Sequence, residues 1–321
     1  MFPKRLALIT AVCASGALLA ACGGEGAQEE TTTSSATATE TTQTTETTEA
    51  APDHVERLTA AVPELRGVPE FAQKVADSEA VREAADDVAI DTWADDSETD
   101  HLLADGEHDI VVAPVQKAAR AFHEGADIRL AGATFWQPLV VAGLGETPED
   151  PNDASQWTGE LAGEKIATAL PEDSVPTLAL RHILDRNELQ DTEIMHVADT
   201  AAAQAAVDEG EAAAMLTYAA TDTDLNHLFK LQDEWARTTG SLPRLPSLGV
   251  IVTADFAEEH RDVVRTVVRA ASDEAGEDRE LLPGREVSSE LGRFYENIGQ
   301  TAEDVIGART IDPEFFLKRR A

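Results

Sequence analysis

Cysteine is nearly absent from this sequence, which has only Cys13 and Cys22 among its 321 residues. Because both lie within the first 22 residues, the remainder of the chain can form no internal disulfide and offers no thiol nucleophile. Whatever folds after Cys22 must therefore be stabilised by packing rather than by covalent cross-links.

Basic residues are also few: 25 Lys and Arg stand against 61 Asp and Glu, for a formal net charge of −36. A field of this sign repels phosphate backbones and anionic lipid headgroups. We therefore exclude nucleic acid as a partner and expect charge to keep the surface solvated.

Catalytic and metal-binding motifs are missing as well. The chain has no GxSxG, no P-loop and no GxGxxG, and its eight histidines form no HExxH pair. Paired carboxylates arise by chance in so acidic a chain and support no assignment. We therefore predict no catalytic residue, no metal site and no cofactor, and expect a protein that is not an enzyme.

The N-terminus reads MFPKRLALITAVCASGALLAACGG, in which Lys4 and Arg5 precede an apolar run that ends in small residues, the pattern of a secretory signal. Its last residues, Leu19-Ala20-Ala21-Cys22, resemble a bacterial lipobox. A plain signal peptide or a membrane-spanning anchor is the alternative, but the run is short for a span. We predict a lipoprotein signal peptide at 1–21, acylation (such as palmitate) at Cys22, and a lipid-anchored protein on the outer face of the cell membrane.

A Thr- and Glu-rich stretch follows the leader. Residues 31–50 contain 11 threonines, and no apolar side chain larger than Ala occurs from Glu25 to Ala51. Such a composition cannot bury enough surface to offset the entropy of ordering. The sequence predicts a disordered tether at 22–53.

The stretch DIVVAPVQKAARAFHEG, from Asp109 to Gly125, reads as a strand followed by a helix. Its β-branched run is typical of a buried strand, and the apolar residues after Pro114 recur with the helical period. In open α/β sheets, ligands bind where a strand ends and a helix begins. We therefore expect a pocket at this turn.

Strand and helix patterns alternate along the chain with short connections, which indicates βαβ units. The alternation restarts after the Pro- and Asp-rich segment Glu146–Trp157, and a long helical pattern near the C-terminus begins at Glu258. These features predict two lobes: lobe 1 at 54–139, lobe 2 at 140–247, and a return to lobe 1 at 248–321.

The ordered set of patterns resembles a known family. The stretches GEHDIVVAPVQKAARAFHEGADIRLAGATFW, LAGEKIATALPEDSVPTLALRHIL, AAVDEGEAAAMLTYAAT, LQDEWARTTG and LGVIVTADFAEEHRDVVRTVVRA are similar to solute-binding proteins of ABC importers of the nitrate/sulfonate/taurine-like group. The resemblance covers about Val55 to Phe316. It implies the type II periplasmic-binding-protein fold, with two α/β lobes, each a mostly parallel sheet flanked by helices, and a ligand cleft between them.

The resemblance also implies a mechanism and partners. A small solute bridges the lobes and selects a closed form, which a membrane permease with its ATPase then reads. It places hinges near Leu139–Val141 and Ser247–Val250, and we expect a monomer.

The same resemblance suggests cleft residues. The family's small polar positions after the DIxVxP strand fall here on Val115 and Gln116, the first of which is apolar. Its usual Glu-Pro pair is replaced by Thr217-Tyr218. If the solute is anionic, Lys117 and Arg181 are the nearest counter-charges. The predicted ligand-binding residues are Val115, Gln116, Thr134, Trp136, Asp173, Ser174, Thr177 and Tyr218.

Each assignment has a competing interpretation at this stage. Gln116 and Ser174 sit at helix starts and could be only capping or surface residues, and Tyr218 could be a core residue. Two other functions also stay open. One is an enzyme of the same fold that makes a thiamine or menaquinone precursor, and the other is a lipoprotein that senses or scaffolds without transport.

Overall fold

The computed structural model describes residues 53–150, 153–275 and 281–317. These residues belong to one compact unit that spans Ala50–Ala321. The predicted signal peptide, the acylation site at Cys22 and nearly all of the predicted tether lie outside the described residues.

Six strands form the first sheet, called sheet A here, in the order β11-β4-β10-β3-β1-β2. They are β1 (Val55–Pro63), β2 (Ala85–Trp93), β3 (Ile110–Pro114), β4 (Ile128–Phe135), β10 (Pro246–Thr253) and β11 (Leu281–Pro283).

Five strands form the second sheet, sheet B, in the order β7-β6-β8-β5-β9. They are β5 (Leu139–Gly143), β6 (Lys165–Thr168), β7 (Glu193–His196), β8 (Ala214–Tyr218) and β9 (Asn226–Lys230).

Helices flank both sheets. Those that precede or follow strands of sheet A are α1 (Val68–Ala76), α2 (Glu79–Ala84), α3 (Asp96–Asp105), α4 (Val115–His123), α9 (Ala254–Glu259), α10 (Arg261–Ala275), α11 (Gly284–Ile298) and α12 (Glu303–Ile306). Those within the sheet B segment are α5 (Ser155–Leu161), α6 (Val175–Arg186), α7 (Thr200–Asp208) and α8 (Leu231–Thr239).

Strand direction explains why both sheets are mixed. Strands β1, β2 and β3 are parallel, and β4 shares their direction because β3 and β4 both pair antiparallel with β10. In sheet B, β5 is the reversed strand between β8 and β9. The predicted pair of α/β sheets, with most strands in one direction, is confirmed. The reversed strands, β10 and β11 in sheet A and β5 in sheet B, are the addition.

The chain passes between the sheets at 136–138 and at 240–245. The segments Leu139–Val141 and Ser247–Val250, near which hinges were expected, lie inside β5 and β10, which are hydrogen-bonded to strands on both sides. Each crossing comes just before one of these strands. Gln232 of α8 fixes the first crossing. Its Oε1 accepts from the backbone N–H of Leu139 at 3.0 Å, and its Nε2 donates to the carbonyl of Gln137 at 2.9 Å.

Helix α3 begins at Asp96, because Asp95 is its N-cap and accepts from the Ser97 backbone N–H at 2.8 Å. One local prediction needs correction. The long C-terminal helix is two helices, α9 and α10, that meet at His260.

Apolar side chains pack on both faces of sheet A. One layer lies between the sheet and helices α1, α2 and α10, and includes Leu58, Val75 and Val264. The other face shares a cluster with sheet B. Helix α11 helps to join the two parts, since the ring of its Phe294 lies 5.7 Å from that of Trp235 in α8.

Candidate functional site

A cavity of about 620 Å³ opens where strands of both sheets end. Its lining includes the last residues of β1, β2, β3, β4 and β8, which are Pro63, Trp93, Pro114, Phe135 and Tyr218. Carboxyl ends of strands are where open α/β sheets bind ligands. The volume lies within the usual range of small-molecule sites, about 300–1,000 Å³.

Six of the eight predicted ligand residues line this cavity, and two do not. Those that line it are Gln116, Thr134, Trp136, Asp173, Ser174 and Tyr218. Val115 and Thr177 are fully buried beside it. The carbonyl of Val115 accepts from the Tyr295 hydroxyl at 2.9 Å, so this residue contributes to the join between α4 and α11.

Gln116 is the second residue of α4 and is 4% exposed. Its side-chain oxygen has no hydrogen-bond partner. A buried polar atom left unpaired costs about 1–3 kcal/mol, so such atoms are rare in native structures. The cavity therefore presents an acceptor that a ligand can satisfy.

Trp136 and Tyr218 form the aromatic part of the mouth. Their ring centroids lie 6.2 Å apart, and the indole Nε1–H of Trp136 is buried without a partner. Burial raises the pKa of the Tyr218 hydroxyl, which keeps it protonated at neutral pH. This pair offers flat apolar surface together with an unsatisfied donor.

Ser174 is the N-cap of α6, but its side chain accepts no helix N–H. Its Oγ donates to the carbonyl of Pro171 at 2.8 Å and lies 3.1 Å from Oγ1 of Thr177. The buried hydroxyl of Thr177 thus helps to fix the position of the Ser174 side chain. Asp173, half-buried beside them, completes the lining from this loop.

Thr134 has a structural partner. Its Oγ1 accepts from the backbone N–H of Leu248 at 3.1 Å and lies 3.2 Å from the Leu248 carbonyl. The hydroxyl fills a register irregularity in the β4–β10 ladder between Pro246 and Gly249. Thr134 therefore shapes the cavity wall more than it offers free hydrogen-bonding capacity.

Charge at the cavity is low for so acidic a chain. Among the described lining residues the charged ones are Glu64, Arg66 and Asp173. The two counter-charges expected for an anion do not line the cavity, and Arg181 instead pairs with Glu172 at 2.7 Å. The lining thus suits an uncharged ligand better than an anion.

Sequence reasoning missed the deeper part of the lining, which comes from β1, β2, α1 and α10. These segments lie far apart in the chain, so no local motif marks them. The one available signal is a pair of alanines four residues apart in α1 (Ala72, Ala76) and another in α10 (Ala271, Ala275).

Two features are absent from the described residues. Within 53–150, 153–275 and 281–317, no group of three or more His, Cys, Asp or Glu side chains is placed to hold a metal ion. In those same ranges no helix has the length and apolar character required to cross a bilayer.

Comparison with known proteins identifies relatives. The family described as NMT1/THI5 like matches residues 82–276. Among curated proteins none matches the sequence.

Solved structures with this architecture include a putative periplasmic sulfonate-binding protein, SsuA, from Methylobacillus flagellatus, at 14% identity and a TM-score of 0.57, over 81% of this chain and 90% of that one. An ABC transporter protein from Parabacteroides distasonis matches at 15% identity and 0.53, over 83% and 100%. The aliphatic sulphonate binding protein SsuA from Escherichia coli matches at 15% and 0.50, over 79% of both chains. These similarities establish the type II periplasmic-binding-protein fold.

Proposed function

The chain belongs to the NMT1/THI5-like family, and on that premise we propose that it captures a small solute between its two sheets for an ABC importer. The observation that carries this proposal is the cavity of about 620 Å³ that residues of both sheets line. Gln116 approaches from sheet A, and Ser174 and Tyr218 approach from the sheet B segment. A solute that touches all three favours the arrangement in which the sheets stand close.

Closure of this kind requires that the two sheets move about the crossings at 136–138 and 240–245. Trp136 lies in the first crossing, and its backbone N–H donates to the carbonyl of Leu245 in the second at 2.9 Å. A solute that contacts the Trp136 ring therefore contacts the crossing itself. In this proposal, the closed form is what the permease and its ATPase recognise.

The location in the proposal rests on the N-terminal sequence. Leu19-Ala20-Ala21-Cys22 supports acylation at Cys22, and the Thr-rich stretch supports a tether that leaves the binding unit free to reorient. The protein then acts as a monomer at the outer face of the cell membrane.

Native mass spectrometry tests capture directly. We suggest the chain from Gly23 to Ala321, which keeps every described residue, purified without refolding. A co-purified mass that leaves on unfolding is the expected result. A stable solute mass after prolonged incubation fits a binding protein, whereas a changed mass would identify an enzyme. Retention of no mass, with no thermal shift across sulfonates, nitrate, pyrimidines and amino acids, would turn attention to a scaffold role.

Trp136→Phe provides the matched test of the site. The change keeps an aromatic ring but removes the unpaired Nε1–H, so solute affinity should fall about tenfold, as expected for one lost hydrogen bond. Trp157→Phe is the control, because the Trp157 Nε1 is also buried and unpaired but lies in the sheet B core outside the cavity. Equal affinities of the two variants in a calorimetric titration would exclude this cavity as the solute site.

A further inference from the structure

The cavity extends from the cleft into the apolar layer between sheet A and helices α1 and α10. Along β1, Leu58, Ala60 and Val62 alternate, so they face the same side of the sheet and line the cavity, whereas Ala61 packs in the cluster on the other face. Phe71 of α1 closes the opposite wall. We call this inner part the chamber.

Small side chains form the helical walls of this chamber. Ala72 and Ala76 of α1 line it, as do Ala271 and Ala275 of α10. Each pair is spaced four residues apart and so lies on one helix face. Protein interiors are close-packed and seldom hold voids much larger than a water molecule. A space this size between a sheet and its covering helices thus indicates a binding volume.

The mouth of the chamber is polar and nearly uncharged. The unpaired atoms there are the Gln116 Oε1, which accepts, and the Trp136 Nε1–H, which donates. A ligand head that satisfies both must contain a donor and an acceptor. A net charge of −36 on the chain adds a field that disfavours an anionic head.

We propose that the solute is an uncharged amphiphile, whose polar head binds Gln116 and Trp136 and whose single apolar chain fills the chamber. This inference rests on the proposed solute-binding function and specifies its substrate class. At roughly 30 Å³ per non-hydrogen atom, the volume of a water molecule in the liquid, the cavity of about 620 Å³ holds about 20 such atoms. That is too little space for a two-chain phospholipid.

A homologous series of straight-chain primary amides, from propanamide to decanamide, measures the chamber. The amide head supplies one donor group and one acceptor without charge. The readout is displacement of the neutral probe N-phenyl-1-naphthylamine from the chain from Gly23 to Ala321. Affinity should rise about fourfold per methylene, which corresponds to about 0.8 kcal/mol, until the chamber is full. Phosphatidylcholine vesicles should not displace the probe beyond the probe's own partition into them.

Ala271→Leu should fill part of the chamber, lower the affinity of decanamide at least tenfold and leave that of propanamide within twofold. Ala80→Leu is the control, because Ala80 is exposed on α2 and outside the lining. Ala257→Leu gives a packing contrast, since Ala257 is 1% exposed in the same apolar layer but does not line the cavity. It should lower Tm, whereas Ala271→Leu should not.

Three results would overturn the chamber assignment: affinity independent of chain length, the same length dependence in Ala271→Leu, or no binding of the probe and of every amide. A short polar solute found by native mass spectrometry beside any of these would retain solute capture and reject only the amphiphile. Conversely, amide affinity could rise with chain length while no solute co-purifies and none in the screen binds. That result would support the chamber as a binding volume but leave the proposed delivery to an importer without support.

Discussion

At the scale of single residues, two buried glutamines differ in whether their side chains are hydrogen-bonded. Gln116 is 4% exposed with an unpaired oxygen, whereas Gln232 is 7% exposed and pairs at both ends with backbone atoms of the first crossing. Methionine has nearly the same shape as glutamine and cannot replace these hydrogen bonds. Gln116→Met should therefore raise the free energy of unfolding of the ligand-free protein by about 1 kcal/mol.

Gln232→Met should instead lower the free energy of unfolding by about 2 kcal/mol, because the Leu139 N–H and the Gln137 carbonyl lose their partners. Urea unfolding of both variants without solute decides the matter. If Gln116→Met lowers the free energy of unfolding as much as Gln232→Met does, then Gln116 stabilises the fold, and its oxygen is not a ligand-binding acceptor.

His182 also has buried atoms without partners, since neither ring nitrogen makes a hydrogen bond and the side chain is 3% exposed. Burial lowers its pKa from 6.5, and nearby Arg186 adds to this effect while Asp185 opposes it. Below pH 6.5 the unfolded chain thus binds a proton that the folded chain does not. As the pH is lowered below 6.5, the free energy of unfolding should therefore decrease. This group contributes at most about 1.4 kcal/mol per pH unit to the decrease.

His182→Phe isolates this contribution. The ring of His182 lies 5.3 Å from that of Trp235, and phenylalanine can keep this contact without a titrating group. The difference in unfolding free energy between the variant and the parent should grow in favour of the variant from pH 7 to pH 5. Parallel curves over that range would mean that His182 takes up its proton in the folded state as readily as in the unfolded one.

At the scale of elements, α11 depends on a close approach to β4. A Cβ on Gly284, the first residue of α11, would lie 2.4 Å from the carbonyl oxygen of Leu130. Because backbone cannot yield as a side chain does, Gly284→Ala should lower the free energy of unfolding by about 2 kcal/mol.

Gly292 in the same helix is the natural control. A Cβ there meets nothing within 4 Å, so Gly292→Ala should raise the free energy of unfolding by about 0.5–1 kcal/mol through helix propensity. Thermal unfolding of the two variants side by side tests the pair. A stable Gly284→Ala protein would show that α11 can move away from β4 at little cost.

The elements also show what local sequence can predict. The strand and helix of DIVVAPVQKAARAF occur as predicted, as β3 (Ile110–Pro114) and α4 (Val115–His123), because a β-branched run and a 3.6-residue period each specify one conformation. Strand β5 was missed because LVVAG directly follows a proline and reads equally well as a connection. The break at His260 lies within a continuous helical pattern, so nothing in the periodicity marked it.

At the scale of the whole molecule, the site was only half predictable. Residues that end strands, such as Tyr218, or begin helices, such as Gln116, could be found because topology brings strand ends together. The chamber could not be found in this way. Its walls come from α1 and α10, which are about 200 residues apart in the sequence, and small residues on one helix face are common in ordinary cores.

The charge of the whole molecule leads to the last prediction, which concerns salt. Exposed ion pairs such as Arg82–Asp77 and Arg120–Glu124 weaken as salt is added, but pairs of this kind contribute little to stability. The net charge of −36 means that acidic groups greatly outnumber their possible basic partners, so they repel one another. Salt weakens this repulsion too. Since the screening length falls from about 30 Å at 0.01 M to about 8 Å at 0.15 M, repulsion across the unit is lost first. Tm should therefore rise by about 5 °C between 10 mM and 500 mM sodium chloride.

Lithium chloride at equal ionic strength is the control, because screening does not depend on which monovalent cation is present. A rise with one cation alone would indicate a specific ion site, and a fall with both would mean that the ion pairs outweigh the repulsion.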